Sequence, residues 1–151
     1  MQVWRICKTV HAAGAFDGEG ARRFGGRWNS PGVPMVYAST SLALAALELF
    51  VHLEPGQAPD DLAFLSAALP DGEPALTIAQ AELPEDWRAD QVASRKIGDD
   101  WIRAGSSLAL KVPSIPISTE WNVLINPLYP RMSELKVDAA QAFVFDARMF
   151  R

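Results

Sequence analysis

Arg27 and Glu48 are the two residues whose types and surroundings most readily do chemistry in this chain. Arg27 stands in Gly25-Gly26-Arg27-Trp28, where paired glycines let backbone amides approach a ligand closely, so its guanidinium reads as an anion clamp. Glu48 is the single charge between Ser41 and Val51. A carboxylate among apolar neighbours is costly unless it is paired, hydrogen-bonded or neutralised. Its nearest basic partner in sequence is Arg27. Two readings of the pair compete: a structural ion pair tying loop to helix, or a cleft that both charges face, since perturbed ionisable groups gather where chemistry happens.

Two further side chains carry double readings. Tyr37 is a half-buried core tyrosine with a satisfied hydroxyl, or an aromatic platform for a flat ligand ring. Ser114, in Pro113-Ser114-Ile115-Pro116, stabilises a stiff turn, or is a fixed donor or acceptor facing a ligand. His52, four residues after Glu48, reads as solvent-facing near a helix end. Arg5 reads as an edge-strand surface charge in preference to a second basic group lining the site. Arg22 and Arg23 read as a solvated basic loop.

The elements that must position these residues follow from patterning. Gln2 to Cys7 alternates as a strand, and His11 to Gly26 is glycine-rich and irregular. Asn29-Ser30-Pro31-Gly32 is turn chemistry with proline and glycine in central positions. Pro34 to Ser39 is a strand, and Thr40 or Ser41 caps a helix. In that helix Leu42, Ala45, Ala46, Leu49 and Leu53 form an apolar stripe. Leu44, Leu47 and Val51 fill much of its other side, so the helix is expected to be buried nearly all round. Leu62 to Leu69 is ambiguous between strand and helix. A short helix is expected to begin at Gly98 and end near Gly105. Strands are expected at Leu108–Val112, Trp121–Ile125 and Ala142–Phe145. The pattern is α+β, without the regular alternation of a doubly wound sheet.

The chain has 151 residues, 49% apolar and 21% charged, with net charge −4. That is enough for one domain, 1–151, with a real core, and it argues against a non-specific basic nucleic-acid surface. One cysteine, Cys7, excludes an internal disulfide. With His11 and His52 it lacks zinc-site spacing, so no metal is expected. No phosphate-binding GxxxxGK[ST] loop, GxGxxG or GxSxG occurs. No run reaches membrane-spanning length, and a cytoplasmic protein is expected. Apolar surface around Trp4, Trp87 and Trp101 would permit a homodimer.

Taken in order, GGRWNSPGVPMVYASTSLALAALE, IGDDWI, VPSIP, WNVLINPLYP and FVFDARMF resemble the RES domain, named for an arginine, a glutamate and a serine. The match spans nearly the whole chain. It departs at Leu128-Tyr129, where many relatives carry a histidine after Asn-Pro. The resemblance implies a single compact α+β domain like the ADP-ribosyltransferase catalytic core of the diphtheria-toxin kind, with short strands in a split sheet and flanking helices. It implies a bacterial toxin that consumes NAD by hydrolysis or phosphorolysis, or passes ADP-ribose to a protein. It also implies a neutralising Xre-type helix-turn-helix antitoxin that plugs the active site and carries the DNA contact. By resemblance, Glu48 and Arg27 are catalytic. Tyr37, Ser114, Asn29 and Asn126, again with Arg27, are substrate-binding.

Overall fold

The computed structural model describes residues 1–151. Eight strands form one sheet: β1 Gln2–Lys8, β2 Val36–Ser39, β3 Leu62–Ala68, β4 Ala75–Thr77, β5 Ala109–Pro113, β6 Trp121–Ile125, β7 Lys136–Val137 and β8 Gln141–Phe143. Their order across the sheet is β4-β5-β6-β2-β1-β3-β7, with β8 also on β3. Every pairing is antiparallel except β4 with β5.

The two halves of the sheet are joined thinly. β1 pairs with β3 along seven positions, Gln2 to Lys8, whereas β1 meets β2 at a single one, Trp4 opposite Ser39. Beyond that position the strands part, and the Arg5 guanidinium fills in by donating to the Tyr37 carbonyl at 2.6 Å. The sheet is therefore continuous but joined at its centre by a single residue pair, where a split was expected. Arg5 is not an edge residue: β1 lies between β2 and β3.

Strand alternation sorts apolar side chains onto two faces. Val36, Ala38, Val123 and Ile125 join Val3, Leu65, Ala67 and Phe16 in one core cluster. Met35, Leu110, Val112 and Leu124 join Trp28, Trp87, Trp101 and Ile102 in the other. Trp87 and Trp101 are buried in that second cluster, so they do not supply the apolar dimer surface expected of them; Trp4 is half-buried.

Three α-helices flank the sheet: α1 Glu19–Phe24, α2 Leu42–Phe50 and α3 Gln91–Ala104. α1, preceded by a 3-10 turn over Thr9–Gly14, replaces the irregular loop expected between His11 and Gly26. α2 is capped by the Ser41 hydroxyl, which accepts from the Leu44 amide at 3.1 Å. It ends at Phe50, and only Leu44 and Ala45 are fully buried, so it is not sunk in the interior. It packs on β1 and β2 from one side, while Ala43 and Val51 face solvent. α3 starts seven residues before the expected Gly98, because Asp90 caps it by accepting from the Val92 amide at 2.8 Å. It stops at Gly105, whose φ of 58° suits a residue without a Cβ. No helix is long and apolar enough to cross a membrane.

α3 approaches the Gly26–Ser30 loop more closely than any side chain allows. A Cβ on Gly98 would sit 1.7 Å from the Trp28 carbonyl oxygen. Gly98→Ala is therefore expected to cost about 3 kcal/mol or more, at the upper end of overpacking penalties, read as a lowered midpoint in chemical denaturation. Gly20→Ala on α1, where nothing lies within 4 Å of the new methyl, is expected to raise stability by about 0.5–1 kcal/mol. Equal midpoints for the two variants would refute this reading of the helix–loop contact.

Candidate functional site

Where β1 and β2 part, a cavity of about 620 Å³ opens. Arg5, Arg27, Tyr37, Glu48, His52 and Asn122 all line it. Residues from β1, the glycine loop, β2, α2 and β6 thus meet at the break in the sheet, although they lie far apart in sequence.

Glu48 reaches the cavity from the last turn of α2 and is half-buried. Its Oε1 accepts from the Ser114 hydroxyl at 2.7 Å and from the Asn122 side-chain amide. Both donors hold the same oxygen, which leaves Oε2 free of protein donors. Ser114 follows directly on β5, and Asn122 lies on β6 opposite Val112. Asn122 is itself oriented by Ser39, whose hydroxyl donates to its Oδ1 at 2.8 Å. Of the two readings of the Arg27–Glu48 pair, the direct ion pair is not formed; the carboxylate is held by neutral donors instead.

Arg27 hangs on a loop whose backbone α3 grips from outside. The Ser94 hydroxyl donates to the Arg27 carbonyl at 2.6 Å, and Arg95 Nε donates to the Gly26 carbonyl at 2.8 Å. The Ser30 amide donates to Asp99 Oδ1 at 2.9 Å. The Arg27 guanidinium donates through Nη1 to the carbonyls of Trp87 and Arg88, at 3.3 and 3.1 Å. Burial lowers its pKa from the ordinary value, Glu48 and Tyr37 act to raise it, and Arg88 opposes them.

Gly25, at φ 71°, is needed where the loop leaves α1. Gly26 is needed because a Cβ there would sit 2.5 Å from the Tyr37 hydroxyl. The expected turn closes from Ser30 to Val33 at 3.1 Å, with Gly32 at φ 97°.

Tyr37 is part-buried with its hydroxyl satisfied. Its hydroxyl donates to Asn29 Oδ1 at 2.7 Å and accepts from the Trp28 amide at 2.9 Å, while the residue also lines the cavity. Burial raises its pKa well above the ordinary tyrosine value.

Three residues expected to touch substrate do not line the cavity. Ser114 is fully buried, and its hydroxyl is engaged with Glu48 and with the Ile117 amide. Asn29 is fully buried behind the wall, where its amide donates to the carbonyls of Ala21 and Val33. Asn126 is buried too, accepting from the Leu128 amide in the turn after β6. Leu128 and Tyr129 do not line the cavity, so the departure there does not alter its wall.

Arg5, by contrast, lines this cavity and two neighbouring ones, of about 450 and 330 Å³. Its Nε is buried without a hydrogen-bond partner. Desolvation lowers its pKa, against weaker raising contributions from Cys7, Asp17 and Tyr37. A buried donor left unpaired costs about 1–3 kcal/mol, a strain located at the side chain that borders all three cavities.

Comparison with known proteins gives a consistent picture. A family model described as RES domain matches residues 2–146. A "Prs ADP-ribosylating toxin" from Sphingobium sp. (strain YBL2) is 36% identical, over 98% of this chain and 96% of its own length. A "Toxin Res" from Photorhabdus laumondii is 35% identical, over 85% of this chain and 83% of its own. Among solved structures, the M. tuberculosis MbcT–MbcA toxin–antitoxin complex contains a chain that superposes with a TM-score of 0.74 at 17% identity. That superposition covers 99% of this chain and 86% of the other, and it supports the fold.

The Tyr37 environment makes an alkaline prediction. Because the folded-state pKa is raised, the native protein keeps this proton above the ordinary tyrosine value of about 10, where the unfolded chain has lost it. Stability should therefore fall as pH rises past that value. Denaturation midpoints followed from neutral to alkaline pH should show the decline, and Tyr37→Phe should make it shallower. An unchanged slope in the variant would contradict the assignment.

Proposed function

This chain belongs to the RES domain family, and from that premise we propose that it is a toxin that cleaves NAD at the nicotinamide–ribose bond. The observation that carries the reading is the Glu48 carboxylate, fixed through one oxygen by Ser114 and Asn122 on the wall of a cavity that two guanidinium groups also line.

The chemistry fits those parts. Breaking the bond leaves positive charge on the ribose, as in glycoside cleavage generally. A carboxylate held before the substrate arrives stabilises that charge without reorganising, and such preorganised electrostatics is usually the largest catalytic contribution. Oε2 of Glu48, free of protein donors, takes the ribose side and accepts from a ribose hydroxyl. Ser114 and Asn122 act as positioning residues through Oε1. Arg27 and Arg5 supply two cations for the pyrophosphate, to which a guanidinium fork is suited. Tyr37 presents its ring to the nicotinamide. Nicotinamide leaves neutral, so no strong general acid is required.

Hydrolysis or phosphorolysis of NAD is the primary reading. Transfer of ADP-ribose to a protein is favoured by the relative whose name states that it ADP-ribosylates Prs. Because the superposed structure is a toxin–antitoxin complex, we place a neutralising antitoxin, of the Xre helix-turn-helix type, over the same cleft. The setting we propose is the bacterial cytoplasm.

Purified protein incubated with NAD, with and without inorganic phosphate, should release nicotinamide, and mass analysis of the ribosyl product identifies the acceptor. Induced expression should arrest growth and drain NAD. Glu48→Gln and Arg27→Ala should abolish both effects. Ser114→Ala and Asn122→Ala should lower kcat by about 100-fold with little change in KM, the scale of misplacing a catalytic group by about 1 Å. A Glu48→Gln protein as toxic as the parent refutes the proposal.

A further inference from the structure

Of the Phe, Tyr and Trp side chains that line the main cavity two are not buried, and a dinucleotide has two flat bases. Tyr37 is one, and it lies at the Glu48 end: both line the main cavity and the neighbouring one of about 330 Å³. Phe24 is the other, 82% exposed at the C-terminus of α1. Trp28 also borders the cavity, but it is buried against Trp87 at 6.0 Å between ring centroids.

Phe24 marks the opposite end. With Gly20 and Ala21 it lines both the main cavity and the second one of about 450 Å³, which Glu48 and Tyr37 do not border. Arg5 lines both cavities as well, with its Nε unpartnered. The order along the trench is thus carboxylate and tyrosine, then guanidinium, then phenylalanine. That matches the order nicotinamide riboside, pyrophosphate, adenosine.

The small side chains at Gly20 and Ala21 leave the approach to the Phe24 ring open. An exposed phenylalanine needs no explanation alone, but this one is placed where a purine one pyrophosphate away from Glu48 would lie.

We propose that Phe24 is the adenine platform of the site: the adenosine half of the substrate lies across the Gly20–Ala21–Phe24 face of α1 and stacks on the Phe24 ring. This inference rests on the NAD reading above and adds a specificity-determining residue to it. The ring's partner is a purine, so the substrate is selected as a dinucleotide and not merely as a nicotinamide riboside.

The test measures NAD cleavage by the parent and by Phe24→Ala, with adenosine monophosphate and nicotinamide mononucleotide as competing inhibitors. Loss of a base–aromatic stack should raise KM for NAD and the inhibition constant of adenosine monophosphate about tenfold. The inhibition constant of nicotinamide mononucleotide should stay within about twofold, and Phe24→Trp should restore parental values. Far-UV circular dichroism and thermal melting confirm that an exposed truncation leaves the fold intact.

The inference is overturned if both inhibitors shift together, or if neither moves. It is also overturned if Phe24→Ala keeps its KM for NAD and loses only affinity for the antitoxin, which would make the ring a partner anchor. If the parent cleaves NAD and the constants do not move, the platform alone falls. If the parent does not cleave NAD, both readings fall.

Discussion

One guanidinium stands where the sheet comes apart. Between β1 and β2 the ladder closes at Trp4 and Ser39 alone, and the next link is the Arg5 side chain bound to the Tyr37 carbonyl at 2.6 Å. Backbone groups that would otherwise pair are instead splayed, which is what makes room for a cavity in the middle of an eight-stranded sheet. The cost is a part-buried cation with one buried N–H unpaired. Buried unsatisfied groups are rare in folded proteins, and this side chain borders three adjoining cavities. The opening and the charge within it are one feature.

The rest of the structure holds the walls of that opening in register. α3 contributes only Gln91 to the cavity wall. It fixes the Gly26–Ser30 loop from behind, through Ser94, Arg95, Asp99 and the bare backbone at Gly98. Tyr37 ties the same loop to β2 through Asn29 and the Trp28 amide. Glu48 is tied to β5 and β6 by Ser114 and Asn122. Each ligand-facing group therefore stands on an element braced by another, which keeps reacting groups placed without relying on loop flexibility.

The site's front row was legible in the sequence, and its supports were not. A lone carboxylate in an apolar helix and an arginine after two glycines are local anomalies, so Arg27 and Glu48 announce themselves. Asn122 does not, because a polar residue in WNVLI looks like any outward-facing strand position. Its destination is set by Ser39, on a strand remote in sequence, and by Val112 on the preceding strand. Asn29 and Asn126 misled in the opposite way. Short amide side chains readily bond backbone, and both are occupied by bonds inside the protein: Asn29 with the Ala21 and Val33 carbonyls and the Tyr37 hydroxyl, Asn126 with the Leu128 amide. The first half of α3 was invisible because its one buried residue is Ser94, and an apolar template does not register a small polar side chain. Arg5 was misjudged because strand order across a sheet is not written along the chain.

The three letters that name this family need not mark three contacts with the substrate. Arg27 and Glu48 line the cavity, while Ser114 is sealed beneath it, its hydroxyl shared between Glu48 and the Ile117 amide. A carboxylate at the end of a nine-residue helix has rotameric freedom, and fixing it costs entropy that must come from somewhere. Pro113 and Pro116 stiffen the turn that carries Ser114, so the donor arrives already ordered. The Asn122 amide, on a central strand, does the same from the other side. What the sequence pattern preserves in this chain is thus a charge together with the means of holding it still, and the anionic oxygen left over is the one with which a positively charged sugar can interact.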